Sequence, residues 1–134
     1  RGFEACLHQY KSDDIQFYLL SDISISTSYE KIKEYLTHNP QIDGIFTDND
    51  SFAFTVLRIL NELNMPVPNK VKVIGYDDNF MIPMVFPLLS TIHQPISDIG
   101  KTAITTLLNL INNQQIKRIN ILDVQYIKRN TTVI

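Results

Sequence analysis

The chain has 134 residues, of which 44% are apolar and 19% charged, with a formal net charge of −2. That is the length of one domain, with enough apolar content to fill a single core. The acids and bases are interspersed, which excludes an electrostatic footprint for DNA or a membrane surface on this chain alone, and no apolar run approaches the ~18 residues of a membrane span.

The punctuation along the chain is regular. "GFEACLHQY" reads as a helix; its Cys6 is the one cysteine, cannot close an internal disulfide, and is expected to be a small buried hydrophobe. "IQFYLL" (15–20) reads as a buried strand. Thr27-Ser28-Tyr29-Glu30 has the form of a capping box and leads into Tyr29, Ile32, Tyr35 and Leu36 at helical spacing. That helix stops near Asn39-Pro40. "IDGIFT" (42–47) is the next strand, and Asp50 is placed to cap a helix with the stripe Phe52, Ala53, Val56, Leu57, Leu60 and Leu63. "VKVIGY" (71–76) is a third strand running into Asp77-Asp78, followed by the Pro-interrupted "FMIPMVFPLL" and the extended "STIHQ". Ile96, Ile99, Ala103, Ile104, Leu107, Leu108 and Ile111 outline the longest amphipathic helix, and "ILDVQYIK" (121–128) closes as a strand. Strands alternating with helices predict an α/β domain with a mainly parallel sheet. The chain opens on Arg1, already in helix-like sequence, and shows no signal-peptide pattern, so further sequence upstream is expected.

Ligands of open parallel sheets bind beyond the carboxyl ends of the strands. Asp48, Asn49 and Asp50 fall there, and so do Asp77 and Asp78 from the following strand. Carboxylates accept hydrogen bonds from neighbouring hydroxyls, and an Asn amide both donates and accepts, so a site for a polyhydroxylated ligand is one reading. A second is an enzyme, because Asp48-x-Asp50 after an apolar strand resembles the nucleophile motif of haloacid-dehalogenase-type phosphatases. That family carries Thr or Val where this chain has Phe52, and its later Ser/Thr and Lys elements do not stand out. A structural interaction module with a solvated acidic rim is the third. His8, His38 and His93 show no metal-ligand spacing; the first two are expected on exposed helix faces, and His93 beside Gln94 near the rim. Ser90 and Thr91 have no demonstrable His/Asp partners. No metal and no cofactor are expected.

Five ordered motifs carry a resemblance: Asn49-Asp50, Val67-Pro68, Gly75-Tyr76-Asp77-Asp78, the run "PLLSTIHQP" (87–95) and Arg129-Asn130-Thr131-Thr132. With the opening "RGFEACL", they are similar to the effector-binding core of lactose-repressor-type (LacI/GalR) transcription regulators over nearly the whole chain. The resemblance implies a fold of periplasmic-binding-protein type, with this chain supplying mostly the second, C-terminal subdomain and a helix at about 96–113 that packs on an absent first subdomain. It implies a non-enzymatic, cytoplasmic homodimer that binds a small effector, a sugar in many members, and reaches operator DNA through a helix-turn-helix headpiece not in this chain. The implied effector contacts are Asn49 and Asp77, with Gln94 at the crossover and Ile23 as lesser candidates, while Asp50 caps the helix. Asp48 is a departure, since its position is usually small. Ile23 stands where an aromatic often covers the effector, and the Arg that often contacts effector falls before residue 1. Phe54, about 140° from the centre of its helix's stripe, is implied with Val85 and Phe86 in the dimer interface. A sugar-type solute-binding protein of a transporter shares the fold and is the alternative.

Overall fold

The computed structural model describes residue 6 and residues 28–133. In chain order these hold α1 (Ser28–His38), β1 (Gly44–Phe46), α2 (Asp50–Glu62), β2 (Lys72–Asp77), a 3-10 turn (Ile82–Met84), β3 (Ser90–His93), α3 (Ile96–Ile111) and β4 (Gln125–Ile127). The expected strand at 15–20, and the expectations for Thr27, His8 and Ile23, lie outside the described residues. Cys6 is helical as expected, but its thiol is exposed, which corrects the expectation of burial.

The sheet runs β1-β2-β3-β4. β1 lies parallel to β2 with Ile45 opposite Val73, and β2 lies parallel to β3 with Gly75 opposite Thr91. β4 is antiparallel to β3, so it returns along the edge with Gln125 opposite His93. β4 is shorter than the apolar run that signalled it, because pairing extends only where a neighbouring strand offers its backbone, whereas β1 is bonded to β2 at both flanks, Lys72 N donating to Asp43 O (2.9 Å) and Thr47 N to Ile74 O (3.0 Å).

The core is built by α1 and α2 against β2. Ile32 and Leu36 from α1 meet Ala53, Val56, Ile59 and Leu60 from α2, with Val71, Val73, Ile82 and Leu89 behind them. The stripe on α2 is the expected one broadened by Ile59. Phe54 is half-buried and packs against this core cluster, which corrects its expected place on the polar face. An aromatic ring is long enough to reach the core from the flank of a helix.

The Arg-Asn-Thr-Thr ending acts as a polar stitch under the sheet. Thr131, fully buried, accepts from Ser90 N (2.8 Å) and donates to Val73 O (2.7 Å), so one hydroxyl ties β2 to β3. Arg129 N donates to Ser90 Oγ (2.8 Å), and its guanidinium donates to Leu89 O (2.9 Å). On the outer face, Glu62 accepts from Tyr29 Oη, from Lys33 Nζ (2.9 Å) and from Arg58 Nε (3.1 Å), latching α2 onto α1.

α3 is different. It buries none of its residues, and Ile96, Ile104, Leu107 and Ile111 are all more than half exposed. Beside it runs an open groove of about 580 Å³, lined among others by Tyr76, Gln94, Ile99, Ala103, Leu107 and Leu122. A second exposed apolar patch comprises Phe80, Met84 and Phe86, the last 89% exposed.

Candidate functional site

The carboxyl ends of the parallel strands form the rim. At the end of β1, Thr47 continues the pairing by donating its N–H to Ile74 O (3.0 Å), then turns the chain by donating its hydroxyl to Asn49 O (2.8 Å). Asn49 is extended (φ −155°, ψ 163°), and its Oδ1 accepts from Phe52 N at 3.0 Å. That makes Asn49 the N-cap of α2, because a cap must stand one residue outside the helix with its side-chain oxygen folded over the free N–H groups. The expected cap, Asp50, is corrected. It already has helical backbone and turns inward.

Asp50 is fully buried. Its Oδ1 accepts from Thr91 Oγ1 (2.6 Å) and its Oδ2 from Asn79 N (2.7 Å). Gly75 makes this possible: a Cβ there would stand 2.1 Å from Asp50 Oδ1, so only glycine lets the carboxylate lie against the β2 backbone. A helix N-terminus is a favourable place for that charge. The role was missed in the sequence because its partners lie between 25 and 41 residues downstream.

Asp77 and Asp78, adjacent in sequence, do different things. Both have positive φ, 114° and 59°, in a region that residues with a Cβ rarely occupy. Asp77 is exposed, and its Oδ1 accepts from Gln94 Nε2 at 2.7 Å. Its other oxygen has no hydrogen-bond partner among the described residues. Asp78 is half-buried and paired on both oxygens, with Arg129 at 2.7 Å and His93 at 3.0 Å. Burial pushes the Asp78 carboxyl up, but the Arg129 hydrogen bond and charge, helped by His93, outweigh it and hold the group below its ordinary value.

Asn49 keeps its Nδ2 on Asp48 Oδ1 at 3.2 Å, a contact a ligand could replace. The rim therefore offers an acceptor at Asp77, a donor at Asn49 and the second amide atom of Gln94, a set that complements hydroxyl groups. The hydroxyl that meets a carboxylate here, Thr91 on Asp50, is fully buried and so is its partner. Asp50, the second carboxylate of the phosphatase-like motif, is sealed in and already accepts two hydrogen bonds, so it cannot shuttle a proton. Among the described residues, no group of three or more His, Cys, Asp or Glu could hold a metal ion. His38 is exposed as expected, bonded to Glu34 O.

A family model described as "Periplasmic binding protein-like domain" matches residues 1–132. The chain belongs to this family. Within it, the similarities are to lactose-repressor-type regulators. The ribose operon repressor of Bacillus subtilis is 35% identical over 133 residues, which cover 97% of this chain and 41% of that protein. A LacI family transcriptional regulator from Enterococcus faecium, solved with bound ribose, is 32% identical with a TM-score of 0.79, covering 98% of this chain and 49% of that one. A lac repressor dimer bound to operator and the anti-inducer ONPF is 27% identical with a TM-score of 0.86, covering 99% and 46%. The chain thus spans less than half the length of each of these three proteins. Periplasmic-binding-protein-like chains of LacI type accordingly share its α/β fold, and the described residues form part of that fold.

Proposed function

We propose that this chain is the C-terminal part of the ligand-sensing domain of a LacI/GalR-type transcriptional regulator, binding a small sugar-like effector between the rim described above and a first subdomain. The observation that carries the reading is Asp77: a carboxylate at a parallel-sheet rim, held in an unfavourable backbone conformation, with one oxygen anchored by Gln94 and the other unengaged. The ribose in the related Enterococcus faecium structure and the sugar-operon names of the relatives support a sugar as the class of effector. Asn49 contributes Nδ2, and Gln94 lines the crossover.

The apolar, unburied face of α3 supports a first subdomain packed on it, and the exposed Phe80, Met84 and Phe86 support a homodimer, with Val85 and the half-buried Phe54 as the further interface residues. Operator DNA is reached through a headpiece upstream. The protein works in the cytoplasm and binds without catalysing; its relatives are named as repressors. No helix among the described residues is long and apolar enough to cross a membrane.

The test uses full-length protein and calorimetry with D-ribose, sucrose and lactose, alongside release from or recruitment to its own upstream DNA. Asp77→Ala is expected to weaken the bound sugar by roughly 30- to 700-fold, about 2 to 4 kcal/mol, since charged hydrogen bonds contribute about 1.5 to 3 kcal/mol each and do not simply add. DNA binding itself should persist. Undiminished sugar affinity in Asp77→Ala removes this residue from the site.

A further inference from the structure

Asp77 and Asp78 occupy two successive positive-φ positions, and neither is glycine. Left alone, such residues relax toward the extended or right-handed regions. Something must hold them. The backbone just beyond is pinned twice, by Asn79 N on Asp50 (2.7 Å) and by Asp78 N on Thr91 Oγ1 (3.4 Å). The third hold is the Asp78 side chain, paired on both of its oxygens. Arg129 comes from beyond β4 and is itself fixed, its guanidinium on Leu89 O and its backbone N–H on Ser90 Oγ. His93 comes from the end of β3, and the next residue, Gln94, grips Asp77. Two adjacent residues of one strand end therefore hold two adjacent residues of the neighbouring one.

We infer that Asp78, clamped by Arg129 and His93, is a positioning residue that keeps Asp77 in the strained conformation from which it meets the effector. This deepens the proposed function and rests on it. A carboxylate pairs with the Arg129 charge and accepts on both oxygens; an amide at the same place loses the charge and offers one acceptor, and its NH2 can meet His93 only in the tautomer whose Nδ1 accepts. The depressed carboxyl pKa of Asp78 keeps it anionic at neutral pH despite its partial burial. The clamp also explains why Asp77 can be exposed and yet fixed in direction.

The test uses the full-length protein with Asp77→Asn, Asp78→Asn, the double variant, and Arg129→Lys, which keeps the charge but loses the planar fork whose two ends bond Leu89 O and Asp78, and which is expected to weaken binding in the same direction as Asp78→Asn. In a crystal structure of Asp78→Asn, Asp77 is expected to leave positive φ and release Gln94. Calorimetry with D-ribose, sucrose or lactose, whichever the unmutated protein binds, should show a loss of roughly 5- to 150-fold in Asp78→Asn, the equivalent of the strain no longer held. Because Asp78 acts through Asp77, the double variant should bind no worse than Asp77→Asn alone; a merely structural role would make the two losses multiply. Asp77 keeping its φ and its Gln94 contact in Asp78→Asn overturns the inference whatever binds, and so do multiplying losses. Unchanged binding in Asp77→Asn, with a relaxed turn in Asp78→Asn, instead sinks the effector role of Asp77 while the clamp stands as a conformational device.

Discussion

Replacing Gly75 by alanine probes the close approach of the buried Asp50 carboxylate to the β2 backbone. The added Cβ would lie 2.1 Å from Asp50 Oδ1 and 2.9 Å from Leu89 Cδ2, well inside the 3.4–4 Å of ordinary contact. Neither neighbour can swing into solvent, because both are fully buried and Asp50 Oδ2 is already held by Asn79 N. Overpacking of this kind costs about 1 to 3 kcal/mol. Displacing the carboxylate also breaks the 2.6 Å bond from Thr91 Oγ1, a charge-assisted interaction contributing about 1.5 to 3 kcal/mol. Alanine offsets roughly 0.4 to 1 kcal/mol of this by restricting the unfolded chain. The net loss is about 2 to 5 kcal/mol, a large share of the ~5 to 15 kcal/mol that holds a domain together. Urea unfolding followed by circular dichroism measures it. The double variant Gly75→Ala/Asp50→Ser makes room for the methyl, so its cost should fall short of the sum of the two single costs. A loss under about 1 kcal/mol in Gly75→Ala, or strictly additive costs, would refute the packing described here.

Asn49→Ala removes the N-cap of α2 and should lower stability by about 1 kcal/mol, whereas Asn49→Asp keeps the capping oxygen and should not. Both lose the Nδ2 donor and should bind sugar less well, so equal thermal destabilisation by the two changes would argue against the cap. Glu62, hydrogen-bonded first by Tyr29 and then by Lys33 and Arg58, has its carboxyl held at about 2 against an ordinary 4.5. A depressed folded-state pKa means that its stabilisation is complete above about 4.5 and disappears as pH falls through about 2. Melting temperatures of the unmutated protein and Glu62→Gln should therefore differ at neutral pH and converge on acidification; a gap that stays constant contradicts the latch. Phe86→Glu should leave the monomer folded, since the ring is 89% exposed, yet weaken self-association by at least about tenfold through an unpaired buried charge. Sedimentation showing an unchanged dimer dissociation constant would clear this patch of any interface role.

The alternation of strands and helices is legible in the chain because each element advertises itself within a short window. The spacing of Ala53, Val56 and Leu60 names the buried face of α2 without any knowledge of what it packs against, and the rim follows from where the apolar runs stop, at Asp48 and Asp77. Sequence by itself also carries the family, through motifs whose order needs no coordinates. What it does not carry is which member of each polar pair does what. Asn49 and Asp50 are interchangeable as caps on paper; the carboxylate goes inward only because Gly75, Asn79 and Thr91 converge on it from other strands. Asp77 and Asp78 read as twins until Arg129, 51 residues from Asp78, takes one of them. Phe54 looks stranded on a polar face until the core is near enough for its ring to reach, and α3 shows its apolar stripe in sequence while only the structure shows that nothing described covers it. Local periodicity is a property of a segment's own backbone geometry. The partner of a charge or a ring is set by contacts distant in sequence, and those exist only once the chain has folded.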